Sequence, residues 1–507
     1  MPPLHRNSKL EHATGAKPPK VNKPSAPSKP VGKGKNKRAR KPTDPTEGLT
    51  ITHPNAAGID VGGDTHWVAL PPGRAEQTVR KFGCFTSQLE ALADWLVESK
   101  IDTVVMESTG IYWVVLYEVL EQRGLKVYLI NARLAKKLLS RKTDLHDCQW
   151  LQRLHAYGLL NNSFRAPEEI RVLRAYLRLR ERAVAASSQA VQHMQKALIE
   201  MNVQLSTVIS DITGETGLRI IDAILAGERD PVVLARMKDP RIKASWQTLA
   251  ESLHGHWKEE HLFALEQARL SWSHCQEQVG QCQQRVEAHL RALNTESSTQ
   301  ARHSSSEVTT TTTTQPVVAP AQSSPETEQK KHKDGPPFDL RAQLKELAGV
   351  DLCQIDGLRE ITVQIILSEV GTDMSAWPTE KHFASWLALC PEHEISGGKI
   401  LKRGRKRRVH QRAAQALRMA AYGLERSDSA HGAKYRRFKQ RLGAPKAVVA
   451  MAHHLARLVY RMLKHGHEYV DKGAAWYEAR YQAQQRKWLE KKAAELKMKL
   501  VPLEQVA

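Results

Sequence analysis

Ala57-Gly58-Ile59-Asp60-Val61-Gly62-Gly63-Asp64-Thr65-His66-Trp67-Val68-Ala69-Leu70 is the stretch whose reading decides the fold. The apolar pattern running to Val61 predicts a strand, the pair Gly62-Gly63 predicts a tight turn, and residues 66–70 read as a second strand returning beside the first. Asp60 is a lone carboxylate in the middle of the first strand. A carboxylate held on a strand cannot drift, and small residues beside it let a phosphate or a metal approach the backbone, so the pattern suits a metal site. Taken alone it describes a hairpin with a solvated aspartate equally well. The carboxylates further along the chain decide between the two.

Working outward, strands and helices alternate from about residue 51 to residue 158. A third strand is expected over residues 77–83, then a helix over 87–98 with Leu89, Leu92, Trp95 and Leu96 on one face. A short buried strand over 101–106 ends at Glu107. A helix over 111–123, a strand over 126–130 and a helix from about Leu134 follow. This order implies a mixed sheet flanked by helices, with functional groups collected at strand ends. Glu107 is a second carboxylate where a buried strand opens into a helix. Asp144 and Asp147 stand three apart, a spacing that puts both on one helix face. Four carboxylates from two strands and one helix could bind two Mg²⁺ ions, which would activate one oxygen and stabilise a leaving oxygen in phosphodiester chemistry. Bunched carboxylates repel one another without a cation, which disfavours a purely structural role for the set.

The chain has 507 residues, enough for two or three domains, and 76 Lys plus Arg against 54 Asp plus Glu, for a net charge of +22. That excess favours a polyanionic partner, with nucleic acid ahead of an anionic membrane. Six scattered Cys without CxxC spacing argue against a structural zinc site and a disulfide framework and suit a reducing cytoplasm. No apolar run approaches a membrane span, and the start lacks the apolar core of a secretory signal, so no membrane association is expected.

Residues 1–48 form a basic arm expected to be disordered, whose cluster at 33–41 reads equally as a nucleic-acid-binding arm or a solubilising tail. Residues 49–166 are the α/β domain. In 167–293, Ile170, Leu177, Val184, Val191, Leu198 and Leu205 stand at sevens, with Leu173, Met194 and Met201 at the d positions. Leu265, Trp272, Val279, Val286 and Leu293 repeat this, with Cys275 and Cys282 at d. An antiparallel coiled-coil hairpin with an inserted segment 206–256 is expected, and the breaks at Arg180 and Ser187 leave room for a second subunit. Residues 294–337 read as a disordered linker of Ser, Thr, Pro and Gln, 338–472 as a second, mostly α-helical domain, and 473–507 as a charged helical tail.

Gly58-Ile59-Asp60-Val61-Gly62, Met106-Glu107-Ser108-Thr109-Gly110 and Lys142-Thr143-Asp144-Leu145-His146-Asp147 resemble, in order, the three blocks of the DEDD transposases of the IS110 family of insertion sequences. The amino-terminal domain of that family is similar to the Holliday-junction resolvase RuvC and has a ribonuclease-H-like α/β fold. The resemblance implies that Asp60, Glu107, Asp144 and Asp147 are a metal-binding catalytic tetrad, holding two Mg²⁺ ions with Mn²⁺ as an alternative. Asp64 and His146 match no ligand position.

Phe383-Ala384-Ser385-Trp386-Leu387-Ala388-Leu389-Cys390-Pro391 followed by Ile395-Ser396-Gly397-Gly398-Lys399 resembles the family's carboxy-terminal transposase domain, in which a serine before a glycine pair is the nucleophile. Outside that resemblance Ser-Gly-Gly is an ordinary turn. Its glycines would leave the Ser396 hydroxyl unshielded, and metal coordination can supply the activation a serine needs. Lys399, Lys402, Arg403, Arg405, Lys406, Arg407, Arg408 and Arg412 follow with no acidic residue among positions 395–412, a run suited to phosphates. Gln354-Ile355-Asp356-Gly357-Leu358 weakly resembles a helix-hairpin-helix phosphate-binding turn, with Arg359 where a second glycine is usual.

The function implied is a DNA recombinase that mobilises its own element through a phosphoserine link to Ser396, acting on element ends and target DNA. Some family members are guided by a bridge RNA, and a homo-oligomer, dimer or tetramer, in the bacterial cytoplasm at the nucleoid is expected. The alternatives are a metal-only nuclease of the Holliday-junction type and a non-catalytic nucleic-acid-binding protein. The basic arm, segment 206–256 and the Thr-rich linker lengthen the chain beyond the usual plan.

Overall fold

In the computed structural model, which describes residues 48–108, 110–131, 144–305, 338–397, 399–405, 411–466 and 473–501, the chain divides into two units between Ser163 and Phe164. The first is built on strand β1 (Ala56–Val61), which pairs antiparallel with β2 (Thr65–Ala69) and parallel with β4 (Thr103–Glu107). Outside these lie β3 (Val79–Gly83), antiparallel to β2, and β5 (Lys126–Ile130), parallel to β4, giving the order β3-β2-β1-β4-β5.

Strand alternation sorts the side chains onto two faces. On one, Ala57, Ile59, Val61, Val104 and Met106 pack against helices α1 (Thr86–Glu98) and α2 (Trp113–Gln122) through Leu89, Leu92, Leu96, Leu116 and Leu120. On the other, Val105 and Ile130 pack against Leu151 and Leu154 of helix α3 (Asp144–Ala156). Strands covered on both faces read as apolar runs, which is why β1 and β4 are so legible. The stretch from Leu134 to residue 143, where a helix is expected, lies outside the described residues.

His155 of α3 is 0 % exposed at the starting ends of β4 and β5. The Thr103 hydroxyl donates to the Lys126 carbonyl at 3.1 Å, leaving its oxygen to accept from His155 Nε2 at 2.9 Å. The imidazole stacks on His53 and meets Tyr128 at a tilt, with centroids 5.0 Å and 4.6 Å away, while its Nδ1 has no hydrogen-bond partner. Burial, reinforced by His53, pushes its pKa down to about 4. A lowered folded-state pKa means that the unfolded chain binds the proton first, so stability is lost as pH falls from about 6.5 towards 4. At 1.36 kcal/mol per unit the loss is about 3 kcal/mol, and urea midpoints measured between pH 7.5 and pH 4 are expected to fall accordingly in the wild type but much less in His155→Leu.

In the second unit the long helices Glu168–Glu200 and Glu259–Ser305 lie side by side. His289 Nε2 meets the Glu169 carbonyl at 2.7 Å, Gln276 Nε2 the Ser187 hydroxyl at 2.8 Å, and His261 Nδ1 the Glu200 carboxylate at 3.4 Å. These pairs run in opposite directions along the two helices, which are therefore antiparallel. The buried seam of the first comprises Ile170, Leu173, Ala183, Ser187, Ala190, Met194, Ala197 and Leu198. It departs from the strict sevens of the sequence, since Val184 is 40 % exposed. A straight helix drifts by about 20° per heptad, and Ala183, Ala190 and Ala197 let the partner helix come close where the seam has moved. Ser187, a break in the heptads, is satisfied within the hairpin by Gln276.

Between these helices, short helices Leu205–Val208, Glu215–Leu225, Pro231–Arg236 and Trp246–Ser252 fold into a cap. Its core, with Ile220, Ile221, Ile224, Leu234, Leu249 and Leu253, includes Met194 and Leu198 from one hairpin helix and Leu265 and Ala268 from the other. At the opposite end, Leu173, Val286 and Leu290 join a larger core formed with helices Leu340–Ala348, Glu360–Val370, Arg412–Gly423 and Ala444–His465. Helix Glu259–Ser305 runs on past Leu293, where the periodic pattern ends.

The carboxy-terminal region is mostly helical, with one exception that the sequence did not announce: β6 (Glu392–Ser396) and β7 (Lys399–Arg405) form an antiparallel hairpin. Among the described residues no helix is long and apolar enough to cross a membrane.

Candidate active site

The parallel register of β1 and β4 sets Ile59 beside Met106, so Asp60 and Glu107 are the next residues along neighbouring strands. Alternation turns both towards the face covered by α3, because Ile59 and Met106 belong to the opposite core. Glu107 is buried at the end of β4, paired in the ladder with Ile130, and Asp60 is half-buried.

What brings α3 to this face is Gly58. A Cβ there would overlap the amide nitrogen of Gln152 and the carbonyl oxygen of Cys148, and would stand 2.8 Å from the Gln152 Cα, so helix and strand meet backbone to backbone. The Gln152 side chain donates to the Ala56 carbonyl at 3.1 Å. With Gln152 at Ala56 and Cys148 at Gly58, α3 runs antiparallel to β1, and its first turn lies towards Asp60. That turn carries Asp144, the first residue of α3, whose side chain lies outside the described residues, and Asp147, which is half-buried.

The Cys148 thiol reports where the charges are. Burial pushes its pKa up to about 12, the negative charge of Asp60 adds to this, and Asp147 acts in the same direction. Asp60 and Asp147 thus bear on one buried sulfur from a strand and from a helix. Among the described residues no three His, Cys, Asp or Glu side chains are grouped to hold a metal ion. By donor chemistry Asp60, Glu107 and Asp147 suit a hard divalent cation: all three are carboxylates, the first two turned towards the face that α3 covers and the third half-buried on its first turn.

The surrounding turns follow from local sequence. Gly62 donates its N–H to the Thr65 carbonyl at 3.0 Å, and a Cβ on it would stand 2.5 Å from that oxygen. Asp64 is exposed on the turn. His66 is paired with Val61 in the ladder and faces the α1/α2 core, where burial lowers its pKa. Trp67 is the ladder partner of Asp60, with the Lys81 ammonium 5.7 Å from its ring centroid. The sequence reading gave Gly58 and Trp67 no place beside Asp60. For Gly58 the available signal was its position two residues before the carboxylate on the same strand face.

Ser396 is the last residue of β6 and pairs with Lys399, the first of β7, across a turn in which Gly397 has φ of 54°. Glycine suits that position, because the turn of a tight hairpin calls for positive φ. Lys399, Lys402, Arg403 and Arg405 therefore stand on a strand, with Lys402 across from Glu394 and Arg405 across from Glu392. Lys406, Arg407 and Arg408 lie outside the described residues. Arg412 opens the next helix and is ion-paired with Glu181. The turn before Arg359 is explained by packing: Gly357 has φ of 90° and a Cβ on it would be 3.0 Å from Leu424, while the Asp356 carboxylate accepts a hydrogen bond from Ser427 at 2.6 Å.

Residues 57–203, which include all four carboxylates, match the family model of the DEDD-type IS110 transposases, described as Transposase. Residues 350–436, which include the Ser396 hairpin, match that of the Transposase IS116/IS110/IS902 family. None of the curated proteins matches the chain. A domain of DEDD type points to a divalent metal, and a transposase binds DNA. Two separate stretches of the chain are thus similar to transposase domains of the IS110 type.

Proposed function

We propose that this chain is the transposase of its own insertion sequence, which cuts and rejoins DNA through a phosphoserine at Ser396 with Asp60, Glu107, Asp144 and Asp147 holding divalent metal. The observation that carries this reading is the seating of α3 on Gly58, which brings the first turn of α3 to the face towards which Asp60 of β1 and Glu107 of β4 turn. A ribonuclease-H-like assignment is supported by the order β3-β2-β1-β4-β5, with the first three strands antiparallel and the last three parallel. Two Mg²⁺ ions, or Mn²⁺ in their place, supply charge neutralisation at attacking and leaving oxygens when bound.

The chain's own groups do the rest. Ser396 Oγ attacks phosphorus and loses its proton as the new P–O bond forms. The bond to the departing strand breaks, and that oxygen takes up a proton as a hydroxyl. Attack on the phosphoserine by the hydroxyl of another strand restores Ser396 and seals the DNA, so no bond energy is lost between cutting and joining. Lys399, Lys402, Arg403, Arg405, Lys406, Arg407, Arg408 and Arg412 offset phosphate charge along the strand, which makes binding fall steeply with salt. A bridge RNA pairing separately with target and donor, and a homo-oligomer that brings element ends together, complete the proposal.

Labelled element-end DNA incubated with the protein and run on a denaturing gel tests it. A protein-linked DNA species is expected with wild type and is absent with Ser396→Ala. Cutting without any linked species would replace this reading with that of a metal-only nuclease. Sequencing the RNA that co-purifies is expected to return one structured species, and bulk cellular RNA would remove the guide.

A further inference from the structure

Beside the carboxylates stands an aromatic ring to which nothing so far gives a task. Tyr112 immediately precedes α2, and its ring spans the two loops that leave the carboxylate strands. A Cβ on Gly63, three residues after Asp60, would be 3.5 Å from its Cζ, and one on Gly110, three residues after Glu107, would be 3.4 Å from its Cδ2. The ring thus lies beside both glycines, where any larger residue would touch it, while Tyr112 remains 52 % exposed. Its neighbours Ile111 and Val115 are 78 % and 54 % exposed. Three apolar side chains are open to solvent at the carboxyl end of the sheet, next to the groups that turn towards α3.

We propose that Tyr112 is the surface on which an unpaired nucleobase next to the reacting phosphate stacks, so that it is a positioning residue for the DNA strand. This rests on the reading that Asp60 and Glu107 hold the metal at that phosphate. A strand whose phosphate is drawn to the carboxylate end of the sheet must put the attached base somewhere, and the exposed ring flanked by two glycines offers a π-face for it. Stacking of this kind tolerates any base, which suits an enzyme whose sequence choice comes from elsewhere. Ile111 and Val115 would keep water from the edge of the stacked base.

The probe is element-end DNA with 2-aminopurine beside the cleavage site, mixed with the full-length protein and the RNA that co-purifies with it. Wild type, Tyr112→Phe and Tyr112→Trp are expected to quench the fluorescence and to cut at similar rates. Tyr112→Leu, which keeps apolar bulk without a π-face, should lose the quench and lower kcat/KM about tenfold to a hundredfold, the effect of losing one base–aromatic stack. No quenching by wild type, loss of quenching in Tyr112→Phe, or a Tyr112→Leu protein that quenches and cuts like wild type would each overturn the proposal. The last result would point to a protein neighbour on this patch. Asp60→Asn in the same assay separates the two readings: if it cuts like wild type the metal reading falls, and the quench alone then decides for Tyr112.

Discussion

Gly58→Ala is expected to destabilise the amino-terminal unit by about 3 kcal/mol, at the upper end of what overpacking usually costs. The added methyl meets backbone atoms of Gln152 and Cys148 rather than a side chain that can rotate away, so α3 must lift from β1. Lifting it breaks the Gln152 bond to Ala56 and opens the contact of Leu151 and Leu154 with Val105 and Ile130. Hydrogen exchange of β1 and α3 should accelerate, and DNA cutting should fall with it because Asp147 moves away from Asp60. Gly280→Ala is the matched control. A Cβ there meets nothing within 4 Å inside a long helix, so it is expected to stabilise by up to about 1 kcal/mol. Equal melting of Gly58→Ala and wild type would show that α3 is not seated on the strand in solution.

The second large effect is on chemistry. Asp60→Asn keeps the shape of the side chain and removes the charge, and is expected to reduce DNA cutting by more than the roughly hundredfold that loss of an outer metal partner costs. Calorimetric titration with Mg²⁺ should lose its heat in parallel. Mg²⁺-dependent cutting at the wild-type rate by Asp60→Asn would remove Asp60 from the metal-binding set.

The sheet was legible because its information is local. Alternation around Asp60, the glycine turn and the apolar run before Glu107 each depend on a few adjacent residues, and β5 was read to the residue. The role of Gly58 was not legible, since it depends on which helix, about ninety residues later, lies against it. The Ser396 hairpin was missed for a different reason: Lys and Arg are poor strand formers, and a basic run reads as a solvated helix face until its cross-strand partners Glu392 and Glu394 are known. In the helical hairpin the two helices were plain from their periodicity. Which residues form the seam was not, because Ala183, Ala190 and Ala197 carry too little apolar signal to outvote the valines beside them.

The helical hairpin of the second unit is anchored twice, by Leu173, Val286 and Leu290 at its root and by Met194, Leu198, Leu265 and Ala268 under the cap. Helices ordinarily open from loose ends, and the length that these two share is held by a separate core at each end. It therefore behaves as a strut: a push on the cap is not absorbed by unwinding of the last turns but arrives at the root as a rotation of the whole pair. Over roughly two dozen residues of continuous helix, about 36 Å, a small angular displacement at one end becomes several ångströms of travel at the other.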